Sequence, residues 1–296
     1  MSVITQAPRL SPCIGVCQLD DRTGFCLGCG RTGDEIGAWG GLDPTSQDAI
    51  WAELPQRLEA LSVRLRLLPL MGGEFADWVA RTIREGQGTW VTGVPGATAE
   101  FPAFDQPAEV LHDGETVTAS VPGARFRLRM HEKLRAFAFD GDGPVVLGLP
   151  KRRAVLPLAE SFTRVGSDED AIAGENRSEE LFDFGLGRSG HRFCIRTGDP
   201  DFVSILDGAV GKDWADVLAS LGAEITRASP TRVVESALAR IEVLSDIPSP
   251  DERSPAGPHT HFLPEFLASG DDAPEALKIP EYASPIAIFY PGEPAA

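Results

Sequence analysis

Residues 125–130 read Arg-Phe-Arg-Leu-Arg-Met, with Phe126, Leu128 and Met130 on one side and Arg125, Arg127 and Arg129 on the other. That period of two predicts a strand with one face in a core. The runs RAFAFD and VVLGLP flank Asp140-Gly141-Asp142-Gly143, a hairpin signal. HRFCIRT at 191–197 predicts a further strand, with Phe193 and Ile195 inward. Other stretches carry helical spacing. Thr32-Gly33-Asp34-Glu35 fits a capping box, and Ile36 and Trp39 share a face. Asp43-Pro44 predicts a second helix start, followed by the stripe Ile50, Trp51, Leu54 and Leu58, which Pro55 is expected to kink or restart. Asp199-Pro200 opens a helix through Phe202, Ile205 and Leu206, and Asp213 to Leu221 suits another closed by Gly222. Ser229-Pro230 is expected to open a third, with Val233, Val234, Ala237, Leu238, Ile241 and Leu244 at helical spacing. Strands first and helices after predict an α+β fold with an antiparallel sheet.

The chain of 296 residues suggests two domains. Residues 10–60 read as a small module, 61–74 as a linker containing SVRLRLLPLMGG, and 75–290 as a larger α+β domain. A Pro/Ser-rich loop spans 246–258, and there is no internal repeat. The 42% hydrophobic content argues against wholesale disorder. The net charge of −17 argues against non-specific nucleic-acid binding and against anionic membranes, both of which select basic patches. That charge is uneven. Residues 1–70 hold six basic and eight acidic side chains, so about −15 falls on the remainder. Arg57, Arg64 and Arg66 are the only cluster where a nucleic acid could sit, and a solvated helix face is the simpler expectation. No run has the length of a membrane span, and the first residues lack a charged and an apolar signal region, so a cytoplasmic location is expected.

Four of the five cysteines, Cys13, Cys17, Cys26 and Cys29, are spaced C-x3-C-x8-C-x2-C; Cys194 is remote. In a reducing compartment such a cluster is a metal site before it is two disulfides. Each pair has a chelating gap, and Asp20-Asp21-Arg22-Thr23-Gly24 between them reads as a reversal. Gly28 and Gly30 flank Cys29 and would let backbone amides approach sulfur. Four thiolates suit either zinc or an iron–sulfur cluster. The C-x2-C-G element favours zinc, and a closed four-ligand site is more often structural than catalytic. Trp39 and Trp51 are expected to pack behind the metal, the functional alternative being a partner-binding surface.

The elements SPCIGVC at 11–17, CLGCGRT at 26–32, DEIGAW at 34–39 and the helix ending in LPQRL resemble the bacterial family called domain of unknown function 1289. Its members are commonly labelled predicted iron–sulfur proteins. The resemblance covers about residues 10–60. It implies a metal-binding module with Cys13, Cys17, Cys26 and Cys29 as ligands, and it leaves zinc and an iron–sulfur cluster both open. GTWVTGVPGATAEF at 88–101 and GPHTHFLPEFLA at 257–268 resemble an uncharacterised bacterial family, domain of unknown function 6925, which implies no activity.

The larger part offers less chemistry. Gly185-Leu186-Gly187-Arg188-Ser189-Gly190 matches G-x-G-x-x-G, but a strand follows where a dinucleotide site needs a helix. Ser189 lacks the G-x-S-x-G context of a hydrolase nucleophile. His259 and His261 would point the same way from an extended segment and could share a second metal, with Glu265 or His191 as a third ligand. The simpler role for the pair is to pin a loop by hydrogen bonds. Cys194 alternates with Arg192 and Arg196, which would lower its pKa if they shared its surroundings; a half-buried small hydrophobe is the simpler reading. Three functions follow. The first is a non-catalytic metal-binding module with a protein or small-ligand partner. The second is an iron–sulfur electron carrier, and the third a metal-dependent enzyme using His259 and His261.

Overall fold

The chain alternates short helices and strands. In the computed structural model residues 10–13, 19–20, 23–26, 28–61, 65–104, 107–139, 143–188, 190–249, 257–269 and 279–292 are described. The first elements are helices α1 (Gly33–Ala38) and α2 (Pro44–Ala60), strand β1 (Leu65–Leu67) and helix α3 (Gly72–Arg84). A run of strands follows: β2 (Gly88–Val94), β3 (Ala97–Pro102), β4 (Glu109–His112), β5 (Thr116–Val121), β6 (Ala124–Arg129), β7 (Arg135–Phe139), β8 (Val145–Pro150), β9 (Thr163–Ser167), β10 (Glu180–Asp183) and β11 (His191–Thr197). Helices α4 (Pro200–Asp207) and α5 (Trp214–Ala228) precede strands β12 (Thr231–Ser236), β13 (Ala239–Val243) and β14 (His259–Phe262). Helix α6 (Pro264–Ser269) and strand β15 (Ala283–Pro291) complete the series.

The strands form two antiparallel sheets, ordered β1-β7-β8-β15-β2-β3-β14 and β4-β5-β6-β13-β12-β11-β10-β9. Their inner faces meet in one core that includes Trp90, Phe101, Phe126, Phe193, Ile241 and Phe289. Trp90 is central, with ring centroids 5.1 Å from Phe289 and 5.5 Å from Phe126. Its indole N–H donates to Thr82 Oγ1 at 3.1 Å, so the buried ring leaves no orphan donor. Helix α3 closes one edge of this core with Phe75, Val79 and Ile83. The fold is mixed α+β. Among the described residues no helix is long and apolar enough to cross a membrane.

The alternation at 125–130 is as expected: Phe126 and Leu128 are fully buried. The arginine side, however, is partly covered: Arg127 is buried and Arg125 half-buried, while Arg129 stays exposed. Arg127 donates to Asp170 Oδ2 at 2.6 Å, and across β13 Arg240 donates to Glu235 at 2.8 Å and Glu242 at 2.8 Å. Arg196 bonds Asp168 at 3.0 Å and Glu179 at 2.9 Å, and Arg240 also contacts Asp168. The segment between β9 and β10 lies over this face and supplies Asp168, Asp170 and Glu179. Thus the central strands of the second sheet are covered on both faces, one by apolar packing and one by paired charge.

That double coverage explains one correction. Residues 229–244 form the hairpin β12–β13, not a third helix. Val234 and Ile241 enter the central core while Val233 packs with Cys194 and Leu181 on the opposite face. With both faces buried, alternation disappears and apolar residues fall at spacings that imitate a helix. A second correction concerns α5, which runs through Gly222 to Ala228 and ends at Ser229 in the left-handed region, φ 43°. Ile225, buried beyond Gly222, holds the extra turn in place. The hairpin β7–β8 forms as expected, although its turn at 140–142 lies outside the described residues. Helix α4 starts at Asp199 as expected.

The N-terminal helices follow their caps. Thr32 Oγ1 accepts from Glu35 N at 3.2 Å while Glu35 Oε2 accepts from Thr32 N at 2.9 Å, a full capping box. Asp43 caps α2, which continues unbroken through Pro55. Trp39, Trp51, Leu54 and Leu58 pack with Leu67, Met71 and Phe137, so the two helices sit on the outer face of the first sheet at its β1–β7 end. Inside the expected 61–74 linker, Leu65–Leu67 is therefore an edge strand of the first sheet.

Removing Arg240 should expose what the charge lattice contributes. Arg240→Ala leaves Glu235, Glu242 and Asp168 facing a cavity, and urea unfolding at neutral pH should show a loss of about 3–5 kcal/mol. Burial pushes the Glu242 carboxyl up, but Arg240 and Arg196 outweigh it and hold it below the ordinary range. Its contribution is complete above the unfolded value of about 4.3 and is lost as pH falls through the folded value. The urea midpoint of the parent should hold steady down to about pH 5 and then drop.

Candidate metal centres

The cysteine loop is built by local bonds. Thr23 N and Oγ1 both donate to Asp20 Oδ2, at 2.8 and 2.7 Å, and Asp20 N donates to Phe25 O at 2.8 Å, which brings together the two ends of the reversal expected at 20–24, whose residues 21 and 22 lie outside the described ones. Isolated bridges pair Leu19 with Cys26 and Phe25 with Thr32. Cys26 and Cys29 then sit on a tight knuckle, where Cys26 O accepts from Cys29 N at 3.2 Å and Gly30 N at 2.8 Å. Gly30 has φ 73°, and a Cβ there would stand 3.2 Å from Leu58 Cγ, so the knuckle lies close against α2. Cys26 and Cys29 are almost fully buried and Cys13 is half-buried. Cys17 lies outside the described residues.

Two buried arginines flank the thiols. Arg31 donates from Nε to Cys29 Sγ at 3.4 Å, and its guanidinium carbon stands 4.8 Å from the Trp39 ring centroid. Arg135 projects from β7 on the outer face of the first sheet. Its Nη2 donates to Ser11 O at 2.6 Å and Cys13 O at 3.3 Å, tying the first cysteine to the sheet. Arg31 is 2% and Arg135 1% exposed, and among the described residues neither has a carboxylate within ion-pairing distance. Arg31 Nη1 and Arg135 Nε are buried with no hydrogen-bond partner among the described residues. Burial pushes the Arg135 guanidinium down to about 10, against the pull of Cys13 and Cys29. Hydrogen bonding from Cys26 draws the Cys29 thiol down to about 6, Arg31 assisting, and the same contact pushes Cys26 up. Tyr282 donates to Gly28 O at 3.1 Å and closes the knuckle from the β15 side.

The second expected pair lies elsewhere. His259 and His261 stand on β14, an edge strand of the first sheet, with Nε2 atoms 2.9 Å apart. The group the sheet brings to them is Glu100 of β3, whose Oε1 is 3.1 Å from His261 Nε2. Glu265 instead sits exposed on α6, and His191 is buried in β11 opposite Ser236. Glu100 had a signal that could have found it: a charge on the outward phase of GTWVTGVPGATAEF, next to the buried Phe101. Arg135, the one charge in the apolar run RAFAF, carried a similar signal.

The remaining sequence candidates have structural explanations. Cys194 is fully buried with Leu181 and Val233, and burial raises its pKa well above the ordinary thiol value. Arg192 and Arg196 do share its face, but Glu235, Glu179 and Asp168 already pair them. The glycines of the G-x-G-x-x-G stretch have positive φ at 185, 187 and 190 and lead into β11, with no helix to receive a phosphate. Ser189 lies outside the described residues. Trp39 and Trp51 are buried, as core packing requires.

The family described as "Family of unknown function (DUF6925)" matches residues 74–296. The chain belongs to that family. A second one, described as "Protein of unknown function (DUF1289)", matches residues 11–58. Both resemblances seen in the sequence are therefore met. No curated protein and no solved structure matches the chain. The DUF1289 stretch contains all four clustered cysteines, while Glu100, His259, His261 and Arg135 belong to the DUF6925 stretch.

Cys194 should be chemically silent. A thiol reagent added to the native protein should leave it unmodified, detected by peptide mass spectrometry. Cys194→Ala should cost about 1–2 kcal/mol in urea and leave the metal content of the protein unchanged.

Proposed function

We propose that residues 10–60 hold a closed metal centre on the thiolates of Cys13, Cys17, Cys26 and Cys29, and that it fixes α1 and α2 as a non-catalytic interaction or regulatory surface. The observation that carries this reading is the pair of buried guanidiniums, Arg31 and Arg135, beside the cysteines with no carboxylate among the described residues to pair them. Buried cations need nearby negative charge. Four thiolates around a divalent ion carry a net charge of about −2, which two arginines offset. The orphaned Arg31 Nη1 and Arg135 Nε fit the same demand, since anionic sulfur accepts hydrogen bonds that a neutral thiol accepts weakly. Cys17 is assigned from its spacing to Cys13 and from the DUF1289 resemblance.

In this arrangement the chain's own residues do the positioning. Arg135 ties the Cys13 segment to β7, Tyr282 ties the Cys29 knuckle to the start of β15, and Gly30 lets the knuckle press on α2. A bound metal would supply folding energy to a module too small to bury a large core. The charge of −17 supports a protein or small-ligand partner rather than nucleic acid or an anionic membrane.

Anaerobic purification followed by counts of zinc, iron and sulfide per chain tests the reading. One thiolate-bound centre is expected, and Cys26→Ser should lose it. A colourless protein with one zinc supports the structural role. Visible charge-transfer bands with stoichiometric sulfide would replace it with the electron-transfer role. A parent with neither would end the proposal. Arg135→Met should weaken metal retention against a competing chelator by about 10–100-fold, the usual scale for outer-shell partners.

A further inference from the structure

The cluster of Glu100, His259 and His261 is separate from the cysteines and lies on the outer face of the first sheet. Strand register places it: His259 pairs with Glu100 and His261 with Thr98 across β14 and β3. Side chains two apart on a strand share a face, so both imidazoles project beside the Glu100 carboxylate. One ligand atom from each of the three residues can be chosen so that all lie within 4.8 Å of one another.

Hydrogen-bond logic sharpens this convergence. His259 Nδ1 is 2.9 Å from Gly257 O, and a carbonyl only accepts. The proton of a neutral His259 ring is therefore on Nδ1, leaving the Nε2 lone pair directed into the cluster. His261 Nε2 faces two acceptors at once, His259 Nε2 at 2.9 Å and Glu100 Oε1 at 3.1 Å. One N–H must then serve both, a poor arrangement for three converging donor atoms. A cation at their centre removes the conflict. A backbone carbonyl holding the far nitrogen of a histidine is also the usual outer-shell support of a metal ligand.

The distances suit an ion. Bonds of about 2.0–2.1 Å at tetrahedral or right angles put neighbouring donors about 2.9–3.4 Å apart. The separations of 2.9 and 3.1 Å fall in that range, and the longer 3.9 Å from His259 Nε2 to Glu100 Oε2 needs only a carboxylate rotation. Among the described residues Glu100 has no lysine or arginine partner; its ion partners are the two histidines. Two imidazoles select a transition metal over calcium or magnesium, which prefer oxygen.

We propose that Glu100, His259 and His261 bind a divalent transition-metal ion of the zinc, cobalt or iron(II) type, leaving positions open for water or a small oxygen-donor ligand. With three protein ligands and side chains 13–33% exposed, the site is open, unlike the cysteine centre.

The test uses the full chain with its cysteine centre as purified. Cobalt(II) is titrated into the parent, into a double variant carrying His259→Ala and His261→Ala, and into Glu100→Gln. The parent should bind one more equivalent than the double variant, with weak d–d bands and no thiolate charge transfer, and Cys26→Ser should keep that equivalent. Bound cobalt or zinc should also raise the melting temperature of the parent but not of the double variant. If the double variant fails to fold, Glu100→Gln decides, since it preserves shape; its cobalt affinity should fall at least about 10-fold. Equal stoichiometry in parent and a folded double variant, or unchanged affinity in Glu100→Gln, would overturn the proposal and leave a proton-bridged loop anchor.

Discussion

Trp90 lies between two sheets, and its ring meets Phe126 from one and Phe289 from the other. The burial of these two inner faces against each other is the constraint on which the rest of the molecule depends. It takes the apolar phase of almost every strand. The opposite phase is thereby left outside, where it must be solvated, covered or given chemistry. At roughly 25 cal/mol per Å² of apolar area, the inner interface is the largest favourable term available, and the outer faces can carry costly groups only because of it.

Three solutions appear on the outer faces. The second sheet carries a lattice of buried arginines and carboxylates, closed over by the segment between β9 and β10. At one end of the first sheet, Leu67 and Phe137 seat the two N-terminal helices, and Arg135 reaches from the same face to the Cys13 segment. At the other edge, Glu100 and the histidines of β14 form a small polar cluster. The first of these is self-neutralising. The other two are not: among the described residues Arg31 and Arg135 have no carboxylate in ion-pairing distance, and the ion partners of Glu100 are histidines. That imbalance in charge separates the ion-paired scaffold from the two proposed metal sites.

Much of the local structure was legible. The Thr32 and Asp43 caps, the reversal at 20–24, the β7–β8 hairpin and the inward phase of β11 all depend on contacts within a few residues. The failure at 229–244 has a definite cause. Periodicity reports an element only when one face is wet, and β12–β13 has none. Gly222 misled for a related reason: its low propensity was outweighed by Ile225, which the core needed. The alternation at 125–130 placed the arginines on the face opposite Phe126 and Leu128, but a strand pattern cannot show which segment will fold over that face.

By itself the sequence determined the α+β class, the starts of α1, α2, α4 and α5 and the candidate ligands Cys13, Cys17, Cys26, Cys29, His259 and His261. These rest on patterns along the chain, and where the spacing is short, as for Cys26 and Cys29 or His259 and His261, backbone geometry converts it directly into proximity. Only the tertiary structure decided the company those residues keep. Arg135 reaches the Cys13 segment across 122 positions, and Glu100 lies 161 positions from His261 yet 3.1 Å away. Sheet register sets such pairings, and register depends on how whole strands bury their inner faces, a property of no single stretch.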